Sequence, residues 1–339
     1  MHKYAIIGLG NLGKKHFIHL MKLQEERTDI ELVAICDVRG RQAIDAVESN
    51  IGLMDVSEYD FSGYNFYEDY KEMIEKEDLD FVLTALPTYL HAEVAVYAMN
   101  KGLHVFSEKP MALTLEGCEA MVKAARDNNR VLGIGQCVRF HPANRKIKEF
   151  VESGCFGKVR NAIFERYSAT PDWAWENWIL DTDKSGGCVL DLHVHDVDLA
   201  NFLFGIPKSI RSTISHINMP FESVTAQYEY DGFVAETRGD WSLPISFPFT
   251  GRSRIDFEKA TVTWTGGVLT FYQGMEKTEE RFDGPDAFLE EHRAFLSMAF
   301  DGGHSDIADI DSMHNSIKMV MKEIEAAEKK NAVSCDDIK

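Results

Sequence analysis

Two periodicities alternate along the first 135 residues. Residues 3–7 form a short apolar run, after which Phe17, Leu20 and Met21 recur at helical spacing. Residues 31–36, 80–85, 103–106 and 131–135 are further apolar runs of strand length. Helical stretches lie between them: one over 91–100, closed by Gly102, and one that Thr114 caps and that runs to 129. Strands separated by helices of this length imply a parallel sheet with right-handed crossovers and helices on both faces. Residues 52–63 follow neither period and read as a surface loop.

Near residue 136 the pattern changes. Residues 208–282 are rich in β-branched and aromatic side chains that often alternate, as in Thr225-Ala226-Gln227-Tyr228-Glu229-Tyr230, with turns at Asp231-Gly232 and Gly266-Gly267. Successive strands with no helix between them predict a large, mainly antiparallel open sheet. Helices before it supply one cover, and a broad exposed face is a natural surface for a homo-dimer or homo-tetramer. An amphipathic stretch over 311–330 is expected to pack back on the body. The expected architecture is an α/β domain over 1–135 followed by an α+β domain over 136–339.

Composition narrows what these domains can do. At 339 residues the chain is too long for one ordinary core. Its net charge of −19 argues against nucleic acid or an anionic membrane as partner. No apolar stretch is long enough to span a bilayer, and the amino terminus enters a strand too soon to leave room for a signal peptide. Six cysteines are scattered with no C-x-x-C pair, the pattern expected of reduced thiols in a cytoplasmic protein.

The first strand ends in Gly8-Leu9-Gly10-Asn11-Leu12-Gly13, and a helix follows. In such a turn the glycines permit a tight bend, close approach to a pyrophosphate and close helix–strand packing. The unpaired N–H groups of the helix then face the phosphates. A strand before and a helix after are the context that makes G-x-G-x-x-G a dinucleotide site. Asp37 ends the next strand, 24 residues past Gly13. A carboxylate there accepts hydrogen bonds from the adenosine ribose and repels a 2′-phosphate. NAD is therefore expected over NADP, although Arg39 and Arg41 lie close enough to leave NADP open. Lys109, in Glu108-Lys109-Pro110, follows the run 103–106. Ligands of open α/β sheets bind beyond the carboxyl ends of the strands, so this lysine is aimed at cofactor and substrate.

In the second half, Gly186-Gly187 opens a predicted helix that continues to Phe204. At 3.6 residues per turn, Asp191, His195 and Asp198 fall on one polar stripe of an otherwise apolar helix. Three readings compete for it. The stripe is a buried His–Asp hydrogen bond that holds the domain together, a metal site, or an acid–base pair facing a cleft. The metal reading is the weakest, since His193 and His195, two apart, point to different sides of a helix, and no metal is expected. Arg139 either reaches substrate or bridges domains. Arg166, Trp173, Trp175 and Trp178 precede the helix and either wall a polyol pocket or form a small apolar core.

Taken together, these residues resemble the glucose–fructose oxidoreductase/inositol dehydrogenase/rhizopine-catabolism (Gfo/Idh/MocA) family. The matching pieces are Gly8-Leu9-Gly10-Asn11-Leu12-Gly13, Asp37, Pro87 with His91, Glu108-Lys109-Pro110, and Gly186-Gly187 with Asp191 and His195. They recur in order over about the first 205 residues, and the carboxy-terminal strands match more loosely. Cys188 departs from the family's usual third glycine, and the 52–63 stretch looks longer than usual. The resemblance implies a Rossmann domain, a second domain on an open sheet, and a nicotinamide in the cleft between them. It places Pro87, His91, Glu108 and Lys109 on the cofactor side, while Arg139 and Trp178 remain weaker candidates for substrate contact on their own positions. Carried over position by position, Lys109, Asp191 and His195 become the catalytic trio, which also touches substrate. His195 would take the proton of a substrate hydroxyl, Lys109 would stabilise the developing alkoxide, and Asp191 would bind an adjacent hydroxyl or align His195. The implied activity is an NAD(P)-dependent dehydrogenation of a secondary alcohol on a sugar, inositol or related polyol. Two rivals are a redox-assisted glycosidase that uses NAD and a non-enzymatic dinucleotide or sugar sensor.

Overall fold

The computed structural model describes residues 1–45, 54–172, 174–282 and 286–338. Its backbone contacts divide the chain into two compact units, Met1–Gly135 with Phe288–Ile310, and Gln136–Ala287 with Asp311–Lys339.

Six strands build the sheet of the first unit: β1 (His2–Ile7), β2 (Ile30–Cys36), β3 (Asn65–Tyr67), β4 (Phe81–Thr84), β5 (His104–Ser107) and β6 (Leu132–Ile134). They pair in the order β3-β2-β1-β4-β5-β6, every pair parallel. β4 and β5 are buried along their whole length, as strands covered on both faces must be. The order reverses between β1 and β4, so the loops leaving these two strands part and open a crevice at their carboxyl ends. The first helix, Asn11–Glu26, leaves β1 at that point.

Two expectations need correcting in this unit. Residues 54–63 are an irregular, largely exposed stretch as expected, but the stretch is anchored: Val56 and Phe61 belong to the core, Phe61 stacks on Phe17, and Tyr59 meets the same ring edge-on. Gly52, at the start of that stretch, lies outside the described residues. Anchoring by scattered aromatics needs no period, so no period announced it. The second correction concerns Phe288–Ile310, which joins the first unit although everything beyond residue 136 was assigned to the second. The helix Ala287–Phe300 inserts Leu289, Phe295 and Leu296 into the core that holds Phe81 and Phe106. Gly133 of β6 makes room, since a Cβ there would stand 2.9 Å from the Phe295 ring.

The second unit is a nine-stranded sheet. Its strands are β7 (Val159–Ala169), β8 (Ser209–Ser215), β9 (Ser223–Glu229), β10 (Val234–Leu243), β11 (Thr250–Phe257), β12 (Thr261–Thr265), β13 (Val268–Gln273), β14 (Glu276–Arg281) and β15 (Val333–Ser334). The order is β14-β13-β12-β11-β7-β10-β9-β8-β15. All pairs are antiparallel except β7 with β10. β7 lies upstream of the predicted strand region and was not foreseen, yet it holds the middle of the sheet. Helices separate it from the later strands, and a helical connection is what allows the parallel pairing.

β9 alternates strictly between buried and exposed residues, so one face of the sheet is covered. The helix Ile310–Lys329 lies on that face: Tyr228 of β9 and Ser212 of β8 both hydrogen-bond to its Glu323. The other face carries cross-strand charge pairs such as Arg252 with Glu165. Among the described residues no helix is long and apolar enough to cross a membrane.

Candidate active site

The turn after β1 has the form a pyrophosphate needs. Gly8 adopts φ +90, and a Cβ on it would stand 2.3 Å from the Ala85 carbonyl oxygen. A Cβ on Gly13 would stand 2.0 Å from the Gly8 carbonyl oxygen. These two glycines let the turn press against the chain leaving β4 and let the helix start directly above it. A Cβ on Gly10 would meet nothing within 4 Å, so this glycine keeps an open approach to the backbone. Asn11 and Leu12 begin the helix Asn11–Glu26, whose first turn has no acidic residue and no side-chain cap from Gly10. Its leading N–H groups and positive dipole end are thereby offered to an anion.

Asp37 follows β2 and is buried at the same crevice. The Leu9 N–H donates to Oδ2 at 2.9 Å, and Arg39 donates to Oδ1 through its own N–H at 3.0 Å and through Nε at 2.9 Å. Burial pushes this carboxyl up, but Arg39 and the two backbone donors outweigh it and hold Asp37 below the usual carboxylate value. An ionised, oriented carboxylate suits ribose hydroxyls. Arg41 lies elsewhere, over the Phe66 ring at 4.4 Å. The turn and the carboxylate together fit the pyrophosphate and ribose of NAD.

Pro87, His91, Glu108 and Lys109 cluster at the carboxyl ends of β4 and β5, and they differ in exposure. Pro87 is partly exposed, next to a turn of 3₁₀ helix, Thr88–Leu90. His91 is buried, with Nδ1 2.8 Å from the Pro110 carbonyl and Nε2 2.8 Å from the Leu86 carbonyl. Both ring nitrogens are thus engaged in tying the two loops together, a bracing role in place of the expected cofactor contact. Glu108 is also turned inward: Oε1 lies 2.7 Å from His16 Nε2, and Oε2 accepts the Lys109 N–H at 3.0 Å. Burial pushes the Glu108 carboxyl up, but His16 and Lys109 together more than reverse it and hold it below its ordinary value. Lys109 is the partly exposed member of this tripeptide, directly beyond β5. The Glu108 carboxylate thus holds the backbone of Lys109 from inside, while Lys109 itself stays partly exposed.

In the second unit the predicted helix is broken. One short helix, Gly187–Asp191, ends at a turn through Leu192 and His193, and a second, Val194–Phe204, begins there. The stripe of Asp191, His195 and Asp198 does not survive as one exposed face, because its last member is buried. Asp191 and His195 are partly exposed on either side of the turn. Asp198 is fully buried, where Arg139 grips it with Nε and Nη2, each at 2.6 Å. Arg139 is itself 0% exposed and also donates to Ser312, so its guanidinium serves the core of the unit and not a substrate. Asp196 is held by Arg166 in the same forked manner, at 3.0 and 3.1 Å.

Trp178 packs on a small core of Ile179, Cys188, Leu192 and Trp241, which supports the apolar-core reading over a sugar platform. Trp175 is exposed, and Trp173 lies outside the described residues. Three polar groups at the site went unforeseen. His16 and His292 touch at 2.9 Å beneath Glu108, and His193 is buried under the turn that carries Asp191 and His195. A histidine three residues past Gly13 was the only local hint of the first.

A parallel sheet with a glycine turn and a buried carboxylate at its switch point is the arrangement of a dinucleotide-binding protein. The chain belongs to the Gfo/Idh/MocA oxidoreductase family, and its first unit is an NAD-binding Rossmann domain. Residues 2–136 match the family model described as "Oxidoreductase family, NAD-binding Rossmann fold", and residues 144–263 match the "GFO/IDH/MocA C-terminal domain". Among curated proteins it is 28% identical over 215 residues to 2,7-anhydro-N-acetylneuraminate hydratase of Mediterraneibacter gnavus, covering 62% of this chain and 51% of that protein. It is 31% identical over 205 residues to myo-inositol 2-dehydrogenase of Thermotoga maritima, covering 60% and 55%. The chain spans about half the length of the curated relatives it matches. The solved structure of levoglucosan dehydrogenase in complex with NADH and levoglucosan has the same fold, with a TM-score of 0.83 over 99% of both chains at 19% identity.

Proposed function

We propose that this protein is an NAD-dependent dehydrogenase that oxidises a secondary alcohol of a sugar, an inositol or a related polyol, or reduces the matching ketone. The observation that carries this reading is Lys109: a partly exposed lysine at the carboxyl end of β5, its backbone N–H held by the buried Glu108 carboxylate, in the unit that holds the dinucleotide turn. Bound NAD supplies the hydride acceptor. His195 takes the hydroxyl proton, Lys109 donates a hydrogen bond to the same oxygen as alkoxide character develops, and Asp191 holds a neighbouring hydroxyl or orients His195. Relatives named for inositol and levoglucosan support the substrate class. A sensor would need no proton acceptor, and Lys109 with His195 gives this chain the means for one. Free cysteines and a net charge of −19 support a cytoplasmic setting, and the uncovered face of the nine-stranded sheet is the surface proposed for a homo-dimer or homo-tetramer.

The test is a reduced-nicotinamide absorbance screen of sugars, inositols and diols with NAD and with NADP. Turnover of at least one polyol, faster with NAD, is the expected result. Tight NAD binding with no reduction by any polyol contradicts it. One relative is named as a hydratase of an anhydro sugar acid, and hydration involves no net oxidation. That favours a second reading, in which NAD is required but not consumed; product formed without any absorbance change would select it.

A further inference from the structure

We infer that His193, held by Glu323, is the positioning residue that fixes Asp191 and His195; this rests on the reading of His195 as the base. The main chain of His193 joins two helices. Its N–H donates to the Cys188 carbonyl at 2.8 Å and closes Gly187–Asp191, while its own carbonyl accepts the Asp196 N–H at 2.9 Å and opens Val194–Phe204. Asp191 stands two residues before it and His195 two after. Both are partly exposed, whereas His193 is 0% exposed and points the other way, into the layer between helix and sheet.

Two elements meet that imidazole, and a third reaches it through Glu323. Nε2 lies 3.1 Å from Glu323 Oε1 on the helix Ile310–Lys329 and 3.3 Å from Thr237 Oγ1 on β10. Glu323, also fully buried, accepts the Tyr228 O–H from β9. Burial, and then the Glu323 carboxylate, push that phenol well above its ordinary value, which keeps it a donor. β10 gives way beneath the ring: a Cβ on Gly239 would stand 2.8 Å from His193 Cβ and 2.9 Å from Nδ1. An apolar side chain would fill such a space with less desolvation, since burying a histidine beside a carboxylate is costly on both sides. What the polar contacts add is a preference for the ring orientation that sets Nε2 between Glu323 and Thr237, with Nδ1 against Gly239 and without a hydrogen-bond partner among the described residues. A turn pinned at its centre keeps the side chains on both flanks in register, and proton transfer requires that register.

Gly239→Ala, Glu323→Gln and His195→Ala, made in the full chain, separate the possibilities with whichever polyol the nicotinamide screen identifies. Gly239→Ala and Glu323→Gln should each lower kcat by about 100-fold, the effect of a misplacement near 1 Å, with NAD affinity unchanged. Their pH profiles should lose the plateau of the wild type and climb with hydroxide, because the base is no longer aligned. A profile that keeps the wild-type midpoint and plateau, changed only in height, overturns the inference and leaves His193 a packing residue. If Gly239→Ala does not fold, Glu323→Gln decides alone. His195→Ala with undiminished turnover, or no polyol turned over at all, removes the underlying reading and the inference with it.

Discussion

His104 shows how far one side chain's chemistry follows from its neighbours. Its Nδ1 accepts the Val131 N–H at 2.9 Å, and its Nε2 lies 3.3 Å from Arg130 Nη1. Burial first, and the Arg130 charge second, lower its pKa from 6.5 to about 4. In the unfolded chain the imidazole takes its proton near pH 6.5, so between that value and about 4 the unfolded state binds more protons. Stability therefore falls as the pH drops through this window. Urea unfolding from pH 7 down to 4.5 should show that decline, and His104→Gln should flatten it; an unchanged slope in the variant would contradict the assignment. Residues whose partners are close in sequence were legible in this way from the outset. Gly8, Gly10, Gly13 and Asp37 form one unit, and their spacing between a strand and a helix implied a dinucleotide. The partner of Glu108 is His16, 92 positions away, and nothing local in Glu108-Lys109-Pro110 separates an inward carboxylate from an outward amine.

Elements were legible where a period ran uninterrupted, and misread where it ran through a break. The apolar positions 190, 194, 197 and 199 suggest one helix, yet the chain turns at Leu192 and His193 to seat an imidazole against Glu323. Periodicity records which faces are apolar, not whether the axis is continuous. Beyond the break, Asp198 shares the second helix with His195 but is buried against Arg139, which joins the short helix Cys137–Phe140 to Val194–Phe204. Neither partner is exposed, so losing one leaves a buried charge alone. Arg139→Ala should destabilise the protein by about 3–5 kcal/mol in denaturant unfolding, the usual cost of breaking a buried pair from one side. A variant of unchanged stability whose KM for polyol is raised would restore the substrate role first read from the sequence.

At the scale of the whole chain, the alternation of strand and helix and the later run of strands indicated a parallel sheet followed by a mainly antiparallel one, and both are present. What a linear pattern cannot carry is which sheet a distant helix covers. Phe288–Ile310 returns to the first unit because Phe295 and Leu296 complement Phe81 and Phe106, a match of shapes and not of periods. β7 was missed for a related reason, since a central strand partnered on both sides needs only one further strand of suitable length, wherever it lies. The candidate residues divide between the units too: the dinucleotide turn and Lys109 belong to one, Asp191 and His195 to the other. The central claim, that Lys109 acts on the reacting oxygen and does not hold the cofactor, is tested most directly by one comparison. Turnover and NAD affinity are measured for Lys109→Ala beside the wild type. Turnover should fall by about 10²–10³-fold, as for loss of one oxyanion donor, with NAD affinity nearly unchanged. Equal loss of NAD binding, or undiminished turnover, would contradict the claim.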